Sequence, residues 1–224
     1  MNDISAYYDS VAPDYDRSRF DNSYGQFIHS QEYGALTRML NGTPPAYTLD
    51  LACGTGRLLG LAGTGFDLSA RMLAEARRKF PDKNLVAGDA TRLPFPDASF
   101  DAVFSLHFLM HLNREQTQAV LAEAWRVLRP GGRLVVDFPS GKRRQFTGGH
   151  HYQNWHGSNA GTLKEWQSMA AEQWQIIDIQ GILFFPMHRL HPRLRMPLLP
   201  FDTWLCRSFL KEYASYLMLC LLKK

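Results

Sequence analysis

An apolar run that leads into a tight glycine turn constrains the fold of this chain more than any other feature. Residues 49–57 read LDLACGTGR, and a helix-prone segment follows. Gly54 and Gly56 lack a Cβ, so the backbone there can approach a ligand closely and adopt a positive φ. Peptide N–H groups at the start of the next helix can then face ligand oxygens. Although a Gly-x-Gly turn alone is a weak signal, this order of strand, turn and helix predicts a nucleotide-binding site.

Three further motifs follow downstream in an order that chance does not readily produce. Asp67 ends a second predicted strand, where a carboxylate can accept two hydrogen bonds from a ribose diol, and Ser69 caps a helix that runs to about Lys79. Asp89 follows a third strand, where it is placed to meet an adenine amine. In residues 128–136 a helix ends, Pro-Gly-Gly turns the chain, and a buried apolar strand begins.

This set of motifs resembles the class I S-adenosylmethionine-dependent methyltransferases, specifically the small, type 11-like members with D-x-x-C-G-T-G and L-K/R-P-G-G motifs. The resemblance spans roughly residues 5–140 and continues more weakly to the end. It implies S-adenosylmethionine as the cofactor and S-adenosylhomocysteine as the product. The cofactor-binding residues that it implies are Tyr15, Asp50, Ala52, Cys53, Gly54, Thr55, Gly56, Asp67, Leu68, Asp89, Ala90, Ser105 and Leu106.

A nicotinamide dehydrogenase and an ordinary structural turn are the alternatives for the same residues. The dinucleotide fingerprint requires a third glycine three residues after Gly56 and an acid about 20 residues on. Here residue 59 is leucine and Asp67 comes 11 residues after Gly56. A structural turn would explain one glycine pair but not four motifs in order.

The connection between the first two predicted strands is short. Because a crossover with its helix needs about 10–12 residues, we expect the first helix to be a turn or two and the second strand to be short.

The alternation of strands and helices predicts an α/β fold with a doubly wound parallel sheet. The resemblance further implies a seven-stranded, mostly parallel, Rossmann-like methyltransferase fold whose last strand is antiparallel, with an N-terminal helical cap. Expected strands lie near 47–52, 64–67, 84–88, 101–106, 132–138, 175–185 and 214–222. Expected helices lie near 22–40, 69–79, 114–129, 163–173 and 201–211. We expect residues 1–224 to form a single domain, with a cap or lid at 1–45, a cofactor-binding core at 46–140, and an acceptor-side loop, terminal strands and flap at 141–224.

Charge and composition limit which partners the protein is expected to have. The first residues lack the pattern of a signal peptide, no apolar run approaches the roughly 20 residues of a membrane span, and the three cysteines have no pairing or metal spacing. We therefore expect a cytoplasmic protein. Residues 141–224 carry 11 Lys and Arg against 5 Asp and Glu. This basic third is either a solvated surface or a site for an anionic partner. Since its clusters lack interleaved aromatic residues, no stable nucleic-acid partner is expected, whereas peripheral membrane contact, monomer and homodimer remain open.

Methyl transfer needs an aligned acceptor, exclusion of water and, for some acceptors, a base. His107 follows strand four and is expected to point into the cleft, where a near-neutral pKa suits a base, and Asp137 is a further cleft candidate. A loop after strand five, rich in histidine and aromatic residues, is expected to border the acceptor. The candidate catalytic residues are His107, His150 and His151, and the candidate substrate-binding residues are Tyr7, Tyr8, Arg19, Tyr152, Trp155 and His156.

No metal site is predicted, because the His-His-x4-His spacing in residues 150–156 lacks a carboxylate or cysteine partner. The predicted function is methyl transfer by in-line displacement to a small-molecule acceptor, with apolar or lipid-like acceptors among the candidates. Two alternatives stay open. One is an RNA or protein methyltransferase that uses the basic C-terminal third, and the other is a non-catalytic regulatory protein that binds S-adenosylmethionine.

Overall fold

A seven-stranded sheet forms the centre of the protein, as the sequence predicted. The computed structural model describes residues 2–147, 160–170 and 172–224. The strands are Thr48–Leu51 (β1), Thr64–Asp67 (β2), Asn84–Ala87 (β3), Phe100–Ser105 (β4), Leu128–Pro139 (β5), Trp174–Ile182 (β6) and Tyr216–Lys223 (β7). Their order is β3-β2-β1-β4-β5-β7-β6. The first five strands are parallel, and β7 lies antiparallel between β5 and β6.

The helices begin where short polar side chains cap them. Asn22 accepts hydrogen bonds from the first-turn amides of the helix Ser23–Leu40, Ser69 caps the helix Ala70–Lys79, and Asn113 forms a capping box at the helix Arg114–Val127. The helices are Asn2–Val11 (α1), Tyr15–Arg19 (α2), Ser23–Leu40 (α3), Ala70–Lys79 (α4), Arg114–Val127 (α5), Gly141–Phe146 (α6), Leu163–Ala170 (α7), Pro192–Arg195 (α8) and Leu199–Arg207 (α9). None of the helices among the described residues is long and apolar enough to cross a membrane.

Each face of the sheet has its own apolar core. On one face α5 and α7 pack through Leu121, Ala124 and Trp166 against the inward side chains of β1, β4 and β5. On the other face α3 packs through Phe27 and Leu36, and it covers residues of β4, β5, β6 and β7. Helices on both faces of a largely parallel sheet make the fold doubly wound, which confirms the predicted class.

The connection from β1 to β2 is as short as its spacing predicted. It contains only a 3-10 turn, Leu59–Leu61, instead of an α-helix. Leu58, Leu59 and Ala62 of this connection are buried against the side chains of α3. Helix α3 therefore covers the part of the sheet that a crossover helix would otherwise cover.

Two expectations about local structure were wrong. Residues 128–132, expected to be a helix end and a turn, belong to β5, because Leu128 pairs with Phe100 before a register shift and Arg133 pairs with Ala102 after it. Gly131, at φ +72°, lies in this bulge. The late helices are also shorter than expected: residues 163–173 are described as helical only to Ala170, and α9 ends at Arg207 because Ser208 is extended.

Candidate active site

The glycine turn after β1 has a backbone that only a few residue types adopt readily. Ala52, Gly54 and Gly56 have φ angles of +62°, +54° and +81°. A Cβ at Gly54 would meet no atom within 4 Å, whereas one at Gly56 would lie 3.2 Å from the Cβ of Ala76 on α4. The two glycines therefore have different roles: Gly54 leaves room at the pocket, and Gly56 lets α4 pack closely against the turn.

Asp67, at the carboxyl end of β2, binds the glycine turn directly. Its Oδ2 accepts from the Gly54 amide at 2.8 Å, and its Oδ1 accepts from the Ser69 amide at 2.8 Å. Burial raises the pKa of this carboxyl, although the two amides act in the opposite direction. Each carboxylate oxygen keeps acceptor capacity beyond these bonds, so the geometry suits a group with two neighbouring hydroxyls.

A pocket opens between this turn and the cap, and an adjoining one extends from it toward β1. Both pockets share Tyr15, Ala52, Gly54, Leu106 and His107. Of the other predicted site residues, those that line one of the two pockets are Tyr8, Asp50, Cys53, Thr55, Asp67, Leu68 and Ala90. Most of the turn motif and the end of β2 thus meet at one cleft.

Several predicted site residues do not line these pockets. Asp89 accepts from the Thr91 amide and hydroxyl at 2.9 and 2.8 Å, which stabilises its own turn. Ser105 is buried, and its hydroxyl has no hydrogen-bond partner among the described residues. Tyr7 accepts a long bond of 3.5 Å from Arg19 at the surface of the cap. Five predicted residues lie outside the described part of the chain: His150, His151, Tyr152, Trp155 and His156.

The N-terminal cap is held over the pocket by polar contacts as well as by aromatic packing. Tyr8 bonds His111 at 2.9 Å, and its ring lies 6.0 Å from that of Tyr15. Thr55 in the glycine turn donates to Asp16 at 2.6 Å. Because one wall of the pocket comes from the cap, the site is complete only when the cap is docked.

Beside the pocket lies a polar cluster of which sequence reasoning named His107 and Asp137 but missed Glu32 and Arg57. Glu32 of α3 pairs with Arg57 at 2.6 Å and with the His107 Nε2 at 2.5 Å. The backbone amide of His107 donates to Asp137 at 2.6 Å, and the imidazole Nδ1 of His107 lies 3.5 Å from the same carboxylate. The carboxylates are 1% and 3% exposed, whereas the side chains of Arg57 and His107 are 13% and 27% exposed. The cluster therefore presents its cationic members toward the cleft.

Electrostatics in this cluster correct the expectation of a near-neutral histidine. Burial alone would lower the pKa of His107, but the carboxylates of Glu32 and Asp137 outweigh it and raise the pKa to about 9. Burial alone would raise the pKa of Glu32, but His107 and Arg57 lower it to about 2. The pKa of Asp137 is raised to about 6, chiefly by burial. At neutral pH His107 is thus an imidazolium held between carboxylates and not a ready base.

The same cluster brings possible metal ligands together. Among the described residues, Glu32, His107 and Asp137 offer one ligand atom each within 4.8 Å of one another. Two cations already occupy this set, since Glu32 pairs with both Arg57 and the protonated His107. A divalent ion would have to displace a proton and compete with a guanidinium, so the arrangement favours an ion-pair network.

A signal for Glu32 was present in the sequence. The buried positions of α3 recur at helical spacing, and Gln31 and Glu32 fall within this otherwise apolar stripe. Polar residues on a buried helix face need partners, which marks them as candidates. Their partners could not be read locally, because His107 is 75 residues away along the chain.

Comparisons with known proteins relate part of this chain to methyltransferases. The family model "Methyltransferase domain" matches residues 49–136. A demethylmenaquinone methyltransferase from Renibacterium salmoninarum is 38% identical over 141 residues, which cover 60% of this chain and 58% of the relative. One from Beutenbergia cavernae is 43% identical, covering 60% and 57%. The matched region thus spans less than two thirds of the length of these curated relatives.

Solved structures share the fold at low sequence identity. A S-adenosylmethionine-dependent methyltransferase from Thermotoga maritima, described as a possible histamine N-methyltransferase, has a TM-score of 0.69 at 20% identity, covering 97% of this chain and 98% of that one. Geranyl diphosphate C-methyltransferase from Streptomyces coelicolor, solved with S-adenosyl-L-homocysteine, has a TM-score of 0.61 at 18% identity, covering 87% and 76%. In its ordered motifs and its sheet order the chain is thus similar to S-adenosylmethionine-dependent methyltransferases, and residues 49–136 match the methyltransferase domain.

Proposed function

We propose that this protein transfers a methyl group from S-adenosylmethionine to a small ring compound that carries a hydroxyl, of the quinol class. The observation that carries the proposal is one cleft in which the glycine turn and Asp67 adjoin His107 beneath an aromatic cap. A binding site for a nucleoside with a diol and a cationic wall for an acceptor thereby share one enclosed space.

The cofactor end of the cleft fits the group that the family uses. Gly54 leaves open space where a side chain would intrude, and the half-buried Asp67 keeps acceptor capacity beside it. In the proposal Asp67 holds the ribose hydroxyls and the turn amides hold the methionine part, while Leu68 and Ala90 contact the adenosine. The cofactor, when bound, supplies a methyl group activated by a sulfonium charge. The cap tyrosines Tyr8 and Tyr15 keep water from the cleft.

The acceptor end favours an apolar ring with a negative oxygen. The pocket walls include Met72, Leu106 and Phe108, and the more exposed members of the polar cluster are the cations Arg57 and His107. A nearby cation stabilises the deprotonated form of a ring hydroxyl. Ionisation of that hydroxyl, with its proton released to solvent water as the acceptor binds, makes both the oxygen and the conjugated ring carbons better nucleophiles. His107 in this scheme stabilises charge on the acceptor and does not abstract a proton.

The names of the curated relatives point in the same direction. The two described above are demethylmenaquinone methyltransferases, and a relative from Ruegeria, 37% identical over 147 residues, is a ubiquinone/menaquinone biosynthesis C-methyltransferase. Because this chain spans under two thirds of their length, the acceptor class is an inference from both the names and the cationic wall.

An RNA acceptor is less well supported. Arg143 of the basic cluster at 142–144 donates to the carbonyls of Phe184 and Tyr213 at 2.8 and 2.9 Å, and Lys142 pairs with Glu212 at 2.6 Å. These two cations therefore stabilise the protein's own C-terminal region, and they are not arranged as a free phosphate-binding surface.

The test combines binding with turnover. Calorimetry with S-adenosylhomocysteine measures the cofactor site, and mass spectrometry measures methyl transfer to demethylmenaquinol analogues with short side chains. We expect binding, transfer to the quinol, and a large loss of kcat in His107→Gln with little change in cofactor affinity. Absence of S-adenosylhomocysteine binding would reject the cofactor site. Cofactor binding without product from any quinol or phenol would reject the acceptor class.

The pH profile separates the two roles of His107. If its positive charge assists the reaction, kcat/KM of the wild type should fall as pH rises through about 9, where the imidazolium loses its proton. His107→Gln should lack this fall. A wild-type rate that instead rises through the same range, with no such rise in the variant, would identify His107 as a base.

A further inference from the structure

Helix α9 exposes aromatic side chains on one face and buries the other. Phe201, Trp204 and Arg207 are exposed, whereas Asp202, Leu205 and Cys206 are buried. Phe201 and Trp204 are 50% and 63% exposed, and their rings stack with centroids 5.9 Å apart. We refer to Phe201, Trp204 and Arg207 as the α9 face. Large aromatic residues at adjacent exposed positions are uncommon on a surface that contacts only water.

Buried hydrogen bonds fix this exposed arrangement. Asp202, fully buried on the opposite side of α9, accepts from the amides of Phe184 and Phe185 and from the amide nitrogen of Gln31 on α3. The ring of Phe185 in turn stacks on Phe201 at 5.9 Å. The α9 face is therefore held in place by the core and is not the result of a frayed end.

The α9 face lies in the segment that follows β6, and β6 ends at the same edge of the sheet as the pocket. Because β5 and β6 both run antiparallel to β7, β6 is parallel to β5, and the carboxyl end of β6 lies at the same edge as those of β1 and β4. The segment that carries α9 starts there. Gln31, which bonds Asp202, also directly precedes Glu32, which binds His107 beside the pocket.

The segment around the α9 face is basic, and it exposes additional apolar side chains. Residues 184–213 contain five Lys and Arg against two Asp and Glu. Of the two acids, Asp202 is buried and Glu212 pairs with Lys142. The same segment exposes Leu194, Met196 and Phe209 by 54%, 40% and 89%. Exposed aromatic residues combined with unbalanced positive charge complement the interfacial region of an anionic membrane.

We propose that the α9 face docks this protein on the surface of an anionic membrane, so that a lipid-soluble acceptor passes from the bilayer into the cleft. The choice of a lipid acceptor rests on the proposed function, but the docking itself does not. A second copy of the chain is the less suitable occupant, because two basic segments would repel each other across the interface.

Vesicle co-sedimentation of the full chain, without cofactor or acceptor, tests this docking. Anionic vesicles, made of phosphatidylcholine with about 30% phosphatidylglycerol, are compared with vesicles of pure phosphatidylcholine at low and high salt. The anionic lipid gives the vesicles a negative surface potential of about −30 mV. We expect anionic vesicles to bind more strongly, with the difference reduced by salt. Phe201→Ser/Trp204→Ser should lower the partition coefficient about tenfold or more, and Arg193→Gln/Arg207→Gln about fivefold per charge. Tyr47→Ser, at the amino end of β1, is the matched control for loss of an exposed aromatic residue and should bind as the wild type.

The outcomes separate the alternatives. Wild-type protein that does not bind anionic vesicles at low salt, or a serine variant that binds as well as the wild type, would overturn the proposal. Self-association that the serine variant abolishes, in the absence of vesicle binding, would assign the face to a second copy instead. Circular dichroism checks that the variants fold. If the serine variant does not fold, the charge variant still tests the proposal. Retained S-adenosylhomocysteine binding in these variants shows that a docking defect is independent of the cofactor site.

Discussion

Replacing Glu32 by glutamine tests the electrostatic description of the site. Glu32 pairs with Arg57 and His107 while it is itself almost fully buried. The pKa of His107 is raised from its ordinary value near 6.5 to about 9, with Glu32 the larger of the two raising causes. At 1.36 kcal/mol per unit this rise corresponds to about 3 kcal/mol of stability, of which we assign roughly 2 kcal/mol to Glu32.

The sign of this effect fixes the pH window. A raised histidine pKa stabilises the folded protein fully below pH 6.5, and the stabilisation disappears as pH rises through about 9. Glu32→Gln also leaves Arg57 without its carboxylate, so we expect a loss of about 3–5 kcal/mol in the free energy of unfolding at pH 7. This loss should shrink by roughly 2 kcal/mol between pH 7 and pH 10, because the wild type loses its charged pair over that range.

Urea unfolding of both proteins at several pH values measures this difference, and NMR titration of the histidines gives the pKa of His107 directly. Glu75→Gln is the control, since Glu75 pairs at the surface with Arg78 at 2.8 Å, and it should change stability by less than about 1 kcal/mol. A wild-type-minus-variant difference that stays constant from pH 7 to 10 would refute the assignment of charge to His107.

Three further predictions concern the turn and the cap. Asp67→Ala should weaken S-adenosylhomocysteine binding tenfold or more in calorimetry, since hydrogen bonds to a charged group contribute about 1.5–3 kcal/mol each; unchanged affinity in a folded variant would contradict the site. Thr55→Val removes the bond to Asp16, and it should raise amide exchange in residues 2–20 while strand amides stay protected; equal exchange in both proteins would show that this bond does not hold the cap. Gly65→Ala places a methyl 2.8–2.9 Å from side-chain atoms of Leu85, Cys53 and Leu59, so it should lower stability by about 1–3 kcal/mol in thermal denaturation; unchanged stability would mean that these side chains readily move apart.

Local sequence signals predicted the fold well because the strands and caps depend on near neighbours. The cap at Ser69 and the short β1–β2 connection could be read from spacing alone. The Pro-Gly-Gly segment was misread as a turn because turn propensity is local, whereas its place in β5 depends on pairing with β4. Tertiary pairing thus overrode a local preference at this point.

The site was predictable only in part, and the reason is physical. Gly54 and Asp67 lie at the carboxyl ends of the adjacent parallel strands β1 and β2, so their proximity follows from the sequence pattern. The state of His107 depends on Glu32 from α3 and Asp137 from β5, which lie 75 and 30 residues away along the chain. A pKa reflects charges in space, and no local pattern contains these distances. The roles of the cofactor- and acceptor-binding residues stay predictions until a liganded structure or the variants above test them.

The replacement of the first crossover helix by α3 has a consequence for engineering this protein. In a fold whose core is self-sufficient, the leading segment can be exchanged to retune acceptor choice without endangering the rest. Here Phe27 and Leu36 belong to the same apolar cluster as Leu59, so a chimaera that imports another protein's opening residues would strip one side of the sheet of its cover. Variants of this protein that are meant to fold must therefore leave the inward side of α3 intact.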